Sequence, residues 1–117
     1  MTFAGELSNL EGKAVVKEKR VSKGYWVGQF DVTDDAIFNT YTLANIEPFK
    51  EYGARFVVRG GSQENPEGSW RSRTVVIEFP SYEAAVACYN DPKYRAAMAV
   101  RKLASIGDIV IVEGYEG

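Results

Sequence analysis

The sequence contains no histidine and a single cysteine, Cys88. Histidine is the side chain that ordinarily changes charge near neutral pH, and it is the commonest metal ligand. Its absence removes Ser-His-Asp and Cys-His catalysis, histidine-ligated haem, and mixed histidine–carboxylate zinc or iron sites from what this chain can do alone. No metal and no cofactor is expected, and any catalysis falls to carboxylates, tyrosines, arginines, lysines or Cys88. A lone cysteine forms no intrachain disulfide. The opening residues MTFAGELSNLEGK lack the basic segment and apolar run of a secretory signal, so the expected setting is cytoplasmic and reducing. No apolar run approaches the roughly 18 to 20 residues that span a bilayer. The formal charge of -2 comes from 14 basic and 16 acidic residues mixed along the chain, which leaves no basic footprint for nucleic acid or an anionic membrane. Neither is an expected partner.

What is present fits one globular domain: 117 residues with 45% hydrophobic content are enough for one buried core and too few for two. Residues 1–22 read as an N-terminal extension, with a β-prone AVV at 14–16 followed by the charge run KEKR. Its composition leaves open a loose tail, a short added strand or an arm that contacts a partner. Residues 23–117 read as the folded domain. GYWVGQFDV is a strand, and Thr33 or Asp34 suits the cap of a helix whose apolar positions run from Phe38 to Tyr52. Pro48 should break or kink that helix, and Gly53 should end it. ARFVVRG and RTVVIEFP are two further strands around a long loop. Ser81 caps the next helix, and Asp91 with Pro92 starts another. GDIVIVEGY, over residues 107–115, is the fourth strand.

The order βαββαβ, with right-handed crossovers, gives a ferredoxin-like α+β fold: a four-stranded antiparallel sheet with its helices on one face. FVV, TVVIEF and IVIV show no regular polar face, which implies that both sides of the sheet are buried. A second copy is the expected cover, making a homodimer and a dimeric α+β barrel.

The runs KGYWVGQFDVTD, YGARFVVRGG, EGSWRSRTVVIEFPSYEAAVACYNDPKYRAA and GDIVIVEGY follow one another over residues 23–115. In that order they resemble the DUF1330 family of small bacterial proteins. The resemblance implies the dimeric α+β barrel and implies little about activity. The wider barrel superfamily includes cofactor-free monooxygenases, haem enzymes and isomerases, which is analogy of fold only. The missing histidine departs from its histidine-dependent members.

The segment between the second and third strands is no phosphate loop, since RGGS has neither the spacing nor the following helix that phosphate binding needs. Gly60 and Gly61 are expected to supply unusual backbone angles, and Trp70 either closes the end of the barrel or walls a ligand mouth. Charged residues in apolar strands carry more information, because an unpaired buried charge costs several kcal/mol. Arg59 and Glu78 read either as a structural ion pair or as a pocket in which Arg59 holds a carboxylate or enolate and an acid of raised pKa serves as base. Arg59, Glu78 and Tyr41 are the candidate catalytic residues, and Trp70, Tyr89, Arg101 and Asp31 the candidate ligand-binding ones. Cys88, among apolar neighbours, reads as an inert thiol. The expected function is a small-molecule-binding homodimer, with cofactor-free isomerisation or oxygenation as its candidate chemistry. The alternatives are a ligand sensor without catalysis and a purely structural dimer.

Overall fold

The computed structural model describes residues 21–117, and the expectations for residues 1–20 lie outside them. β1 (Gly24–Val32) leads into α1 (Asp35–Ala44) and α2 (Ile46–Glu51). β2 (Arg55–Arg59) is joined by a long loop to β3 (Arg73–Phe79), and α3 (Tyr82–Asn90) and α4 (Pro92–Ala104) lead into β4 (Ser105–Glu113). The order matches the sequence pattern, although β4 starts at Ser105 and not at residue 107. The caps form as their side chains suggest. Asp34 accepts the Ile37 N–H at 3.0 Å, Ser81 that of Ala84 at 3.0 Å, and Asp91 that of Lys93 at 2.8 Å. Each satisfies a helix N–H that has no partner within its own helix.

Pro48 does divide the first helical region, but the break falls upstream of it. A proline has no N–H to bond the carbonyl four residues back, and its ring crowds that carbonyl. The carbonyl in question is that of Ala44, where α1 ends. Asn45 takes up the junction: its N–H bonds the Tyr41 carbonyl at 3.0 Å, and its own carbonyl accepts from Phe49 at 3.1 Å.

The strands pair antiparallel in the order β2-β3-β1-β4, so β1 and β3 are central. Register turns the sheet into rows of neighbours on each face. Beneath the helices one row is Phe56, Ile77, Trp26 and Ile111, and the next is Arg59, Val75, Gly28 and Ile109. Beyond these lie Arg73, Phe30 and Gly107. The core gathers around Trp26, whose ring lies 4.8 to 5.6 Å from those of Phe49, Phe79, Tyr89 and Tyr94. Its indole N–H donates to the Ala85 carbonyl at 2.9 Å, tying β1 to α3.

Among the described residues, no helix lies on the other face. Across all four strands it presents one valine row, Val58, Val76, Val27 and Val110. Polar rows flank it: Arg55, Glu78 and Tyr25 on one side, and Thr74, Gln29 and Asp108 on the other. The sheet is therefore less uniformly apolar than the strand sequences suggest, because short apolar runs mask a polar residue at each strand end.

Two expectations follow. A β-carbon on Gly107 would lie 2.3 Å from both the Gln29 carbonyl and the Phe30 ring, and the carbonyl is backbone that cannot swing aside. Gly107→Ala should cost about 1–3 kcal/mol in chemical denaturation. Cys88 is fully buried, and desolvation pushes its thiol from 9.0 up to about 12. The thiol should resist alkylation in the native state and react on unfolding. Because the folded form holds its proton longer than the unfolded one, stability should decline as pH rises from about 9 towards about 12, and Cys88→Ala should remove that part of the decline.

Candidate functional site

The second row beneath the helices contains a gap. Gly28 has no side chain where Trp26, two residues before it, has the largest, so helices held off the sheet by the indole leave space over the glycine. The resulting cavity measures about 30 Å³, room for about two waters. Its walls are largely aromatic, with Phe30, Phe38, Phe49 and Phe56 among them.

The polar groups at this cavity come from four places: Tyr41 and Thr42 from α1, Asn45 from the helix junction, Arg59 from the end of β2 and Arg73 from the start of β3. Arg59 pairs with Val75 on the face that also carries Arg73, which makes the two arginines diagonal neighbours. Arg59 stacks over Phe56 with its guanidinium carbon 4.2 Å from the ring centre, and Arg73 lies 5.6 Å from that of Phe38. Gly60 makes room for Arg73: a β-carbon there would sit 2.4 Å from a guanidinium nitrogen, and the residue's φ of 70° also favours glycine. Gly61 does not share the left-handed backbone expected of it.

Charge balance at the cavity is one-sided. Among the described residues, no acid lines it, and neither Arg59 nor Arg73 forms an ion pair. Arg73 Nε is buried with no hydrogen-bond partner. Behind the cavity wall, Arg101 is 5% exposed and its Nε is likewise without a partner. Its guanidinium lies over Phe30 and Tyr41, at 5.2 and 5.8 Å from the ring centres. Tyr41 and Tyr94 share a hydrogen bond of 2.9 Å. Burial pushes the Tyr94 hydroxyl well above its usual range, so it stays protonated at neutral pH.

Of the residues singled out in the sequence, Tyr41 and Arg59 line this cavity, with Arg101 against the Tyr41 ring. The others lie elsewhere. Glu78 points to the uncovered face, where it accepts from Tyr25 at 2.9 Å and from Arg55 at 3.2 Å. Its ion-pair partner is thus Arg55 and not Arg59, because Arg59 belongs to the opposite side of the pleat. Asp31 accepts from the Ser72 N–H at 3.1 Å and from Arg71 at 2.9 Å, anchoring the β2–β3 loop. Neither acid has the raised pKa of a buried base. The Ser72 N–H and the Arg71 side chain hold Asp31 low, and the Tyr25 hydroxyl and Arg55 hold Glu78 low. Trp70 is half-exposed on the loop and donates to Thr74 at 2.8 Å. Tyr89 packs on Trp26 and donates to the Met98 sulfur at 3.3 Å.

Sequence reasoning passed over Arg73 and Asn45. Arg73 had a signal, since it precedes Val75, Ile77 and Phe79 in steps of two and so shares their face. Asn45 had one as well, since either it or Ala44 continues the three-to-four-residue repeat of Phe38, Tyr41, Pro48, Phe49 and Tyr52.

The fold is shared with solved structures at identities that carry the fold alone. A protein of unknown function from Rhodopseudomonas palustris superposes with a TM-score of 0.68 at 18% identity, over 84% of this chain and 86% of that one. SnoaB, a cofactor-independent oxygenase from Streptomyces nogalater, gives 0.56 at 13% identity, over 83% and 97%. A dimeric protein of unknown function and ferredoxin-like fold from Bacteroides fragilis gives 0.51 at 16%, over 79% and 96%. No curated protein matches the chain at a significant level. The match that spans the described domain is with the family model for a domain of unknown function, DUF1330, over residues 23–115, and the chain belongs to that family.

Proposed function

We propose that this protein is a cytoplasmic homodimer that binds a small organic anion, a carboxylate or an enolate, in the cavity between sheet and helices of each protomer. The observation that carries this reading is the unmatched positive charge. Among the described residues, Arg59 and Arg73 face a cavity that no acid lines, and Arg73 Nε is buried without a hydrogen-bond partner. Leaving a buried charged donor unsatisfied costs more than the 1–3 kcal/mol of a neutral one, and a planar anion would satisfy both guanidinium groups with paired N–H donors. The aromatic walls suit an apolar or planar body.

Catalysis without a cofactor is the second reading. It is favoured by the same two arginines, which would stabilise an enolate oxygen as it forms. Among the described residues no carboxylate lines the cavity to act as base, and Tyr94 is held protonated. The substrate would therefore have to be acidic enough to lose its C–H proton to water once bound. In an oxygenation the enolate's electrons then reduce O2, a C–O bond forms and protonation gives a hydroperoxide; in an isomerisation the proton returns at another carbon. The likeness to a cofactor-independent oxygenase is one of fold, and supports this reading by analogy only.

The valine row supports the dimer. Val110 and Ile106 are 55% and 57% exposed on the uncovered face of a single protomer, and two such faces packed together would bury the row.

Two measurements test these readings. In a panel of small carboxylates and phenols, at least one should raise the thermal midpoint, because a ligand that binds only the native state stabilises it. Arg73→Met should abolish that shift while itself raising the ligand-free midpoint by about 4–8 °C. Relief of about 1–3 kcal/mol of unsatisfied burial outweighs a lost cation–π contact of about 0.5–1 kcal/mol. A loss of stability in Arg73→Met, or no shift with any acid, would count against the site. For the dimer, sedimentation should find two copies at micromolar concentration and one for Val110→Asp, with folding intact in both. A monomeric parent protein would remove the proposed interface.

A further inference from the structure

Resting on the anion-binding reading, we infer that the ligand is an elongated amphipathic carboxylic acid, its headgroup in the inner cavity and its apolar body in a second groove that opens from it. The two spaces share a partition. Thr42, Asn45, Phe49, Phe56 and Arg59 border the inner cavity on one side and, on the other, an open groove of about 410 Å³ between the helix junction and β2. The inner space is too small for more than a headgroup. About 30 Å³ takes about two waters, and the two oxygens of a carboxylate would replace them. Anything attached to that carboxylate must lie in the groove.

The groove is built for an apolar body with a negative end. Leu43 and Ile46, 71% and 56% exposed, stand at its rim on either side of the helix break, and the edges of Phe49 and Phe56 continue inward from them. Among the described residues its charged ones are Arg59 and Lys50, neither of which forms an ion pair, and no acid lines it. Arg59 sits at the boundary, held by its stacking on Phe56, where it can meet a carboxylate that also reaches Arg73. Asn45 faces the same boundary. It is 3% exposed, and its side chain makes no capping bond to α2, which leaves the amide free to donate to a second ligand oxygen. A ligand cation is ruled out by the arginines. A neutral chain would leave Arg73 Nε as unsatisfied as it is in the empty site, so the acid is the chemistry that fits both spaces.

The test is calorimetric titration of the full-length protein with straight-chain carboxylates from acetate to decanoate, each below its micelle concentration, and with the matching primary amides. Affinity should rise about fourfold per added methylene until the groove is filled and then level off. The amides should bind at least tenfold more weakly than their acids. Leu43→Asp and Ile46→Asp change exposed positions and should fold normally by circular dichroism; each should flatten the rise with length and weaken decanoate by at least tenfold. Short acids that bind with no gain in length, or a rise that survives both variants, would overturn the groove while leaving the inner anion site standing. Failure of every acid to bind would remove both. Amides that bind as well as acids would show that the body and not the charge is recognised, which also overturns the inference.

Discussion

The position of Trp26 in the middle of β1 sets the spacing on which everything else in the molecule depends. The indole meets rings from α2, β3, α3 and α4 at once, and its N–H is satisfied by a carbonyl of α3. Interiors pack to near-crystalline density, so a side chain of this size fixes how closely the helices can approach the sheet. The same strand then offers Gly28 on the same face two residues later. The distance imposed by the largest side chain is met by the smallest, and a void at that row is the geometric consequence. Phe30, one step further, folds back over Gly28 and against Gly107, which would reject it if either carried a β-carbon. The cavity is thus written into the alternation Trp26, Gly28, Phe30.

Charge around that void is arranged against the interest of stability. The structure does pair its acids with cations where they cost little, at the surface: Arg55 with Glu78, Arg71 with Asp31 and Asp108, and Lys93 with Glu47 and Glu51. At the buried end of the sheet the pattern is reversed, with Arg73 and Arg101 each leaving Nε without a partner. Stacking on Phe38, Phe30 and Tyr41 recovers part of the cost. It cannot replace the hydrogen bonds. Sequences relax such positions readily unless an occupant needs them, and the repeated choice of arginine over an apolar residue of similar volume is the reason the site reads as unfilled.

The fold was legible in the sequence because its signals are local. Caps at Asp34, Ser81 and Asp91, the apolar runs of the strands and the crossover rule are enough to yield βαββαβ and its sheet order. Even the disruption by Pro48 was readable, although its effect is felt at the residue whose carbonyl it opposes. The site was legible only in part. Tyr41 and Arg59 could be found as polar residues on elements that must face the core, but Glu78 and Asp31 could not be sorted from them. A charged residue near a strand end is inside or outside according to one step of the pleat, and the bulge between Phe56 and Val58 shifts that phase midway along β2. Arg59 falls beneath the helices because of that extra residue. A reading that ignores the bulge sends it to the face that carries Glu78, opposite Thr74.

That shift also decides which residue of β2 meets the cavity. Without it, Val57 would take the place opposite Val76, Val58 would fall opposite Val75 beneath the helices, and Arg59 would face Thr74 on the opposite side of the sheet. The valine row is kept in either register, whereas only the bulge gives the covered face the cation at the boundary of its two spaces. A single inserted residue in an edge strand, the usual place for a bulge, therefore decides which side chain stands at the partition between cavity and groove. With Val58 at that partition, Arg73 would be the one cation lining the cavity among the described residues, so the pairing of two guanidinium groups over one void follows from one added residue.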